Sequence, residues 1–235
     1  MLPWLVFGAV GLAGRRLSVI EHSLQRQHRP PPGMPHPELP ARLDAAAAAL
    51  RAASFAGQLD WRTSAQSELS DEHVLSAMRR VHSEEHLAAI EVTSARGGGG
   101  FDADTYCAPG SWKAMIDGTK TWLEAVSLAS SGAGPALALA RPPGHHATRD
   151  TPMGFCLINF AAVAAAEYLA SHPEGRVAVL DWDVHHGNGV AAIMADEPRV
   201  RYCSTHEQGG YPRTGLDEVC VAMGVSRDPA VEEQA

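Results

Sequence analysis

No two of the four cysteines, Cys107, Cys156, Cys203 and Cys220, form a CxxC pair, and their long spacings exclude a compact disulfide scaffold. Reduced thiols in a cytosol-like compartment follow as the default. The apolar run at residues 1–13 is too short to span a bilayer. It also has no basic residues ahead of it, so residues 1–17 read as a leader or a first buried strand rather than an export signal. A cytoplasmic location is expected, with organelle targeting left open. Basic residues are outnumbered, 19 Lys and Arg against 27 Asp and Glu, for a net charge of −8. That balance argues against direct binding to nucleic acid or to an anionic membrane. No internal repeat is visible, and nothing in the composition sets an oligomeric state.

What remains is an ordinary globular chain. Its 235 residues are 45% hydrophobic and 20% charged. A domain of that length buries roughly 70–75% of its unfolded surface, so it folds without staples. Six prolines and a glycine in residues 29–40 exclude a helix interior there. An Ala- and Leu-rich stretch over 41–56 predicts a helix, and shorter ones are expected over 71–80 and 83–95. After the four glycines of 97–100 the helical pattern resumes over 112–131. Residues 135–140 read as a buried strand, 160–170 as a helix, and 177–180 and 200–204 as further strands. Strands alternating with helices predict one α/β domain over residues 18–235, with a mainly parallel sheet. In such sheets, ligand sites gather beyond the carboxyl ends of the strands.

Two polar clusters fall at those ends. The first is Leu180-Asp-Trp-Asp-Val-His-His-Gly-Asn-Gly189. Side chains alternate along an extended chain, so Asp181, Asp183 and His185 point one way. A carboxylate and an imidazole two residues apart can reach one metal ion, and both are normal zinc ligands. Two acids on one buried row repel each other unless a cation or a donor lies between them. Capping acids at a strand end are the bland alternative, but three such groups before Gly-Asn-Gly favour a metal site.

The second cluster is Arg141-Pro-Pro-Gly-His-His-Ala147, with Gly154-Phe-Cys156 after it. Adjacent imidazoles on a loop shaped by proline and glycine are poor core filler. Side by side, His145 and His146 could divide proton transfer between them, one accepting from water and one donating to a leaving amine.

These segments resemble the histone deacetylase family, including the bacterial deacetylase-like proteins and acetylpolyamine amidohydrolases. The matching pieces begin at His36-Pro-Glu-Leu-Pro-Ala-Arg42, Val81-His-Ser83 and Asp102-Ala-Asp-Thr105. They continue through both histidine blocks to Gly154-Phe-Cys156 and Ser204-Thr-His206, in family order. The resemblance implies an arginase/deacetylase-like three-layer α/β fold and hydrolysis of N-acetyl groups, carried by an acetylated protein or a small acetylated amine. It implies Zn2+ as cofactor, with Asp183 and His185 as ligands. His145 and His146 would be the acid–base pair, held by Asp181 and Asn188. Asp181, with backbone near Ser204 and Thr205, would bind a structural K+. Gly154, Phe155 and Tyr211 would line the substrate channel, and Asp104 would meet the substrate backbone. Asparagine at 188 resembles the class II side of the family.

The family's third zinc ligand, an aspartate, and its catalytic tyrosine lie downstream of anything in this sequence. Arg213 stands where a glycine is expected, and Leu216–Gly224 replaces a glycine-rich segment. Asp217 and Asp228 read as surface acids. The expectation is therefore a domain without its C-terminal strands and with impaired turnover. The main alternative is a noncatalytic protein that keeps this fold for binding; a di-manganese ureohydrolase of the arginase type is a third, against which the tandem histidines and Gly154-Phe-Cys156 argue.

Overall fold

Residues 4–6, 16–63, 67–207 and 209–215 are described by a computed structural model of the chain. Expectations that fall on residues 1–3, 7–15 and 216–235, including Cys220, Asp217 and Asp228, lie outside the described residues.

The central sheet forms from short apolar segments far apart in sequence. Strands β1 (Trp4–Val6), β2 (Leu17–Ile20) and β3 (Leu59–Arg62) join β6 (Ala136–Ala138) in the order β1-β6-β2-β3. The β2/β3 and β2/β6 pairings are parallel, and β1 runs antiparallel to β6. Between β3 and β6 a two-residue pair, β4 (Gly99–Gly100) and β5 (Tyr106–Cys107), forms a small antiparallel ladder. A second parallel pair, β7 (Val177–Asp181) with β8 (Val200–Ser204), carries the first polar cluster at its end.

Alternation on these strands builds two cores. Leu137 and Leu139 face one way and join Val19 and Leu59 under Leu43 and Ala47 of helix α1 (Pro40–Ala52). Ala136, Ala138 and Ile20 face the other way into the larger core. That core is closed by helices α2 (Asp71–Arg79), α3 (Glu84–Ala95), α4 (Ser111–Ser130) and α5 (Phe160–Ser171). Each fully buried Leu, Ile, Val or Met side chain contributes about 1.5–3 kcal/mol. The result is helix, sheet, helix: the three-layer α/β arrangement expected. Val179, Val200 and Tyr202 pack into the same large core beside α6 (Asn188–Met194). On the outer face of β7, Leu180 is exposed, as are Trp182 and Val184 just beyond it.

Helix starts follow capping chemistry. Ser70, Ser83 and Asn159 accept hydrogen bonds from the third residue of α2, α3 and α5, satisfying donors the helix cannot. Acidic pairs in the first turns of α2 and α3 suit the helix dipole. Helix α1 ends earlier than the 41–56 pattern suggests: its propensity runs out into the 3-10 turn at Ala56–Gln58 that feeds β3.

One buried charge cluster gives the fold a pH signature. His22 lies fully buried between Asp117 Oδ1 at 3.4 Å and Glu124 Oε2 at 3.1 Å. Burial by itself lowers the imidazole, but the two carboxylates outweigh it and push it up to about 9. Between the ordinary value of 6.5 and 9, the folded state therefore holds a proton that the unfolded chain has released. The contribution, on the order of 3 kcal/mol, is complete below pH 6.5 and is lost as pH rises through 9. Urea midpoints should fall between pH 7 and pH 10, and the fall should flatten in His22→Gln. An equal fall in both proteins would contradict this assignment.

Candidate active site

The polar row leaves the sheet as the strand stops. β7 ends at Asp181, so Asp183 and His185 stand on the following loop rather than on the strand itself. Their common orientation comes from hydrogen bonds. Asp183 N donates to Asp181 Oδ1 at 3.1 Å, and His185 N donates to Asp183 Oδ1 at 3.0 Å. His185 Nδ1 lies 3.2 Å from the same oxygen. Trp182 and Val184 turn outward to solvent between them.

The histidine pair meets this row from the other side. His145 and His146 are both buried, with ring centroids 3.9 Å apart. The backbone is held by α6, where Gly189 N and Val190 N donate to His145 O at 2.9 and 3.2 Å. His145 Nδ1–H donates to Asp181 Oδ2 at 2.9 Å, and His146 Nδ1–H donates to Asn188 Oδ1 at 2.8 Å. Both partner oxygens are acceptors, so each contact places a proton on Nδ1 and leaves Nε2 with a free lone pair. Asn188 is itself oriented, its Nδ2 donating to Met153 Sδ at 3.4 Å. His145 Nε2 is buried without a hydrogen-bond partner, 3.9 Å from Asp183 Oδ1. A buried ring nitrogen without a hydrogen-bond partner calls for one that the described side chains do not supply.

Burial first, and then the neighbouring His145, lower His146 to about 3, against the bond from Asn188 that raises it. His146 is therefore neutral at pH 7, with a lone pair on Nε2.

Close packing underpins the pair. A side chain at Gly187 would strike Asp181 Oδ2, and would meet Tyr202 Oη at 2.5 Å and His145 Nδ1 at 3.1 Å. Tyr202 was not singled out by sequence reasoning. Its hydroxyl donates to Asp181 Oδ2 at 3.0 Å and accepts from Gly187 N at 2.9 Å. Burial, followed by the charge of Asp181, raises this phenol, so it stays a donor. The available signal was its place on β8, on the same face as Val200 and Ser204 and pointing inward.

The mouth of the site is built from three separate segments. Tyr211 stands edge-on to His146, 5.0 Å between centroids, and to His185 at 6.0 Å. Gly154, at φ +54°, lies where a side chain would strike both His146 and Tyr211. Phe155 also has positive φ, 68°, a conformation that costs about 1–3 kcal/mol outside glycine. It is pinned by its N–H donating to Thr105 Oγ1 at 3.1 Å. Asp104 is exposed on the neighbouring turn, where Asp102 Oδ1 accepts from Asp104 N and Thr105 N. Partial desolvation and the adjacent Asp102 raise its carboxyl.

Ser204 and Thr205 lie beside Asp181 but make other bonds. Ser204 Oγ pairs with His206 Nδ1 at 2.8 Å, and Thr205 N donates to Asp181 O at 3.0 Å. Among the described residues, no group of three His, Cys, Asp or Glu side chains closes into a metal cage. Asp183 and His185 offer two donors of the type zinc takes, next to the unpartnered nitrogen of His145.

Known proteins share this arrangement of sequence. The Histone deacetylase domain family matches residues 36–227. An uncharacterised protein of Synechocystis sp., slr0245, is 44% identical over 184 residues, covering 78% of this chain and 59% of that protein. A histone deacetylase-like amidohydrolase of Pseudomonas aeruginosa is 36% identical over 185 residues, covering 78% and 47%. A crystal structure of the HDA15 HD domain superposes with a TM-score of 0.74 at 34% identity, covering 88% of this chain and 58% of that one. The chain thus spans less than two thirds of the length of these relatives. Both histidine blocks, Asp181 through His185 and the mouth residues fall inside the matched span, and the three-layer fold is shared with the solved structure, so the chain belongs to the histone deacetylase family.

Proposed function

We propose that this protein is a zinc-dependent deacetylase acting on an acetylated amine, a lysine side chain of a protein or a small polyamine. The observation that carries the reading is the unpartnered Nε2 of buried His145 facing Asp183, with His185 on the same carboxylate. Asp183 and His185 would hold the zinc, which when bound supplies Lewis-acid polarisation of the amide carbonyl and acidifies a water molecule. Asp181 and Asn188 hold each imidazole as the Nδ1–H tautomer, so both Nε2 atoms can accept a proton. His146, neutral at pH 7, accepts the proton of the attacking water, and the imidazolium then returns it to the departing amine nitrogen. Water and amide become acetate and an alkylammonium ion: one proton of the water reaches the nitrogen through His146, and the second, left on the new carboxyl group, follows it to the amine. Phe155, Gly154 and Tyr211 border the acyl-lysine stem, and Asp104 meets its backbone. Asp181 and the backbone at Ser204 and Thr205 are assigned a structural potassium ion.

One observation favours a second reading. With two donors rather than three among the described residues, zinc could be held without hydrolysis, in a protein that keeps the fold for binding. The two separate in one experiment on the purified chain, reconstituted with zinc and given a fluorogenic acetyl-lysyl peptide. Turnover that disappears with chelator and returns with zinc supports the deacetylase. Stoichiometric zinc with no acetate release supports the binding reading.

A further inference from the structure

The two walls on one side of the mouth, the Asp104 turn and Phe155, belong to segments 50 residues apart, and neither is part of a long helix or strand. Something must hold them in register. Thr105 Oγ1 fixes the backbone of Phe155 but not its ring. The side chain of His36, which is 8% exposed and has no place in the acid–base machinery, touches both the ring and the turn.

Both ring nitrogens of His36 are used. Its Nδ1 accepts from Glu38 N at 3.0 Å, so the ring proton resides on Nε2. That Nε2–H donates to Asp104 O at 2.9 Å, across 68 residues of sequence. The ring edge meets Phe155 at 4.7 Å between centroids and 70° between planes, and meets Tyr106 at 4.9 Å and 85°. Aromatic pairs in this edge geometry are attractive beyond the area they bury. The base of His36 is anchored in turn. Glu38, fully buried, accepts from Arg141 Nε at 3.0 Å and from Tyr106 Oη at 3.1 Å, and Arg141 also binds it through Nη2. Arg141 begins the loop that carries His145 and His146. A continuous set of buried contacts therefore runs from the catalytic loop through Glu38 to His36, and from there to both walls.

We propose that His36 is a positioning residue that sets the spacing between the Asp104 turn and the Phe155 ring, and so the grip on the substrate stem. This rests on the reading of those residues as substrate walls. Because His36 touches neither His145 nor His146, it acts on binding rather than on proton transfer. Its loss should move KM and leave kcat.

The experiment uses the full 235-residue chain as parent, with His36→Ala and His36→Phe. Hydrogen–deuterium exchange is followed by mass spectrometry in peptides covering 101–105 and 153–157, with α4 and α5 as internal references. Exchange in both mouth segments should rise about tenfold in His36→Ala, the size expected from one lost buried hydrogen bond. His36→Phe keeps the ring contact but not the donor, so only 101–105 should loosen, and α4 and α5 should stay protected in both variants. For zinc-loaded protein on an acetyl-lysyl peptide, KM should rise about tenfold in His36→Ala with kcat within about threefold. Unchanged exchange in both mouth segments would overturn the proposal, as would a fall in kcat at constant KM. If the parent itself shows no turnover, the deacetylase reading fails, and the exchange data alone decide whether His36 ties the two segments together.

Discussion

His146→Ala is expected to lower kcat on an acetyl-lysyl peptide by about 10²–10⁴-fold, the usual effect of losing a general acid–base group. The prediction follows from three features together. The ring lies 3.9 Å from that of His145, its Nδ1–H is committed to Asn188, and burial with the neighbouring imidazole lowers it to about 3. It is thus a neutral acceptor whose free nitrogen faces the site. Asn188→Ala leaves the imidazole in place but lets the ring choose its tautomer, so a smaller loss of about 10–100-fold is expected. Steady-state rates of the two variants, measured beside zinc content, check the order. A His146→Ala protein within threefold of the parent would remove this residue from the chemistry.

The second large effect is at Gly187. Its backbone, at φ −78°, suits any residue, so the requirement for glycine is spatial. A methyl group there would push into the point where Asp181 Oδ2, Tyr202 Oη and His145 Nδ1 converge. Gly187→Ala must therefore separate the carboxylate from the imidazole or shift the start of α6, whose amides hold the His145 carbonyl. Overpacking of this kind costs roughly 1–3 kcal/mol in stability. Activity should fall further, by about 100-fold or more, since a misplaced tautomer disables the pair. Gly57→Ala, where the added methyl meets nothing, serves as the control and should match the parent in thermal midpoint and rate. Equal rates in Gly187→Ala and Gly57→Ala would show that the cluster tolerates displacement.

Segments with uninterrupted apolar runs were readable before any coordinates. Residues 177–180 were expected as a strand and fall within β7, and the expected strand over 135–140 contains β6. Both histidine blocks announced themselves because several metal- and proton-handling side chains crowd into ten residues. β2 and β3 did not, because Ser18, Asp60 and Arg62 interrupt four-residue strands whose stability comes from pairing with each other and packing under α1. The helix α6 was hidden behind Gly-Asn-Gly, a poor helix start by propensity, which is needed here so that backbone can approach Ala147 closely. Within the site, the structure brings Asp181, Asp183, His145, His146 and Asn188 into contact. The supporting contacts of Tyr202 and His36 were not visible, because they join residues 21 and 68 positions apart. Such partners are chosen by tertiary packing and leave no local pattern.

The proposed chemistry depends on one place in the structure, where Asp183, with His185 on its carboxylate, faces the buried ring of His145, whose Nε2 has no hydrogen-bond partner. Anomalous X-ray diffraction at the zinc absorption edge, on crystals of the protein grown with zinc, tests it directly. A single strong peak within coordination distance of Asp183 and His185, on the Nε2 side of His145, is the predicted result. Zinc found only at surface histidines such as His73 or His172, with that space free of anomalous signal, would contradict it.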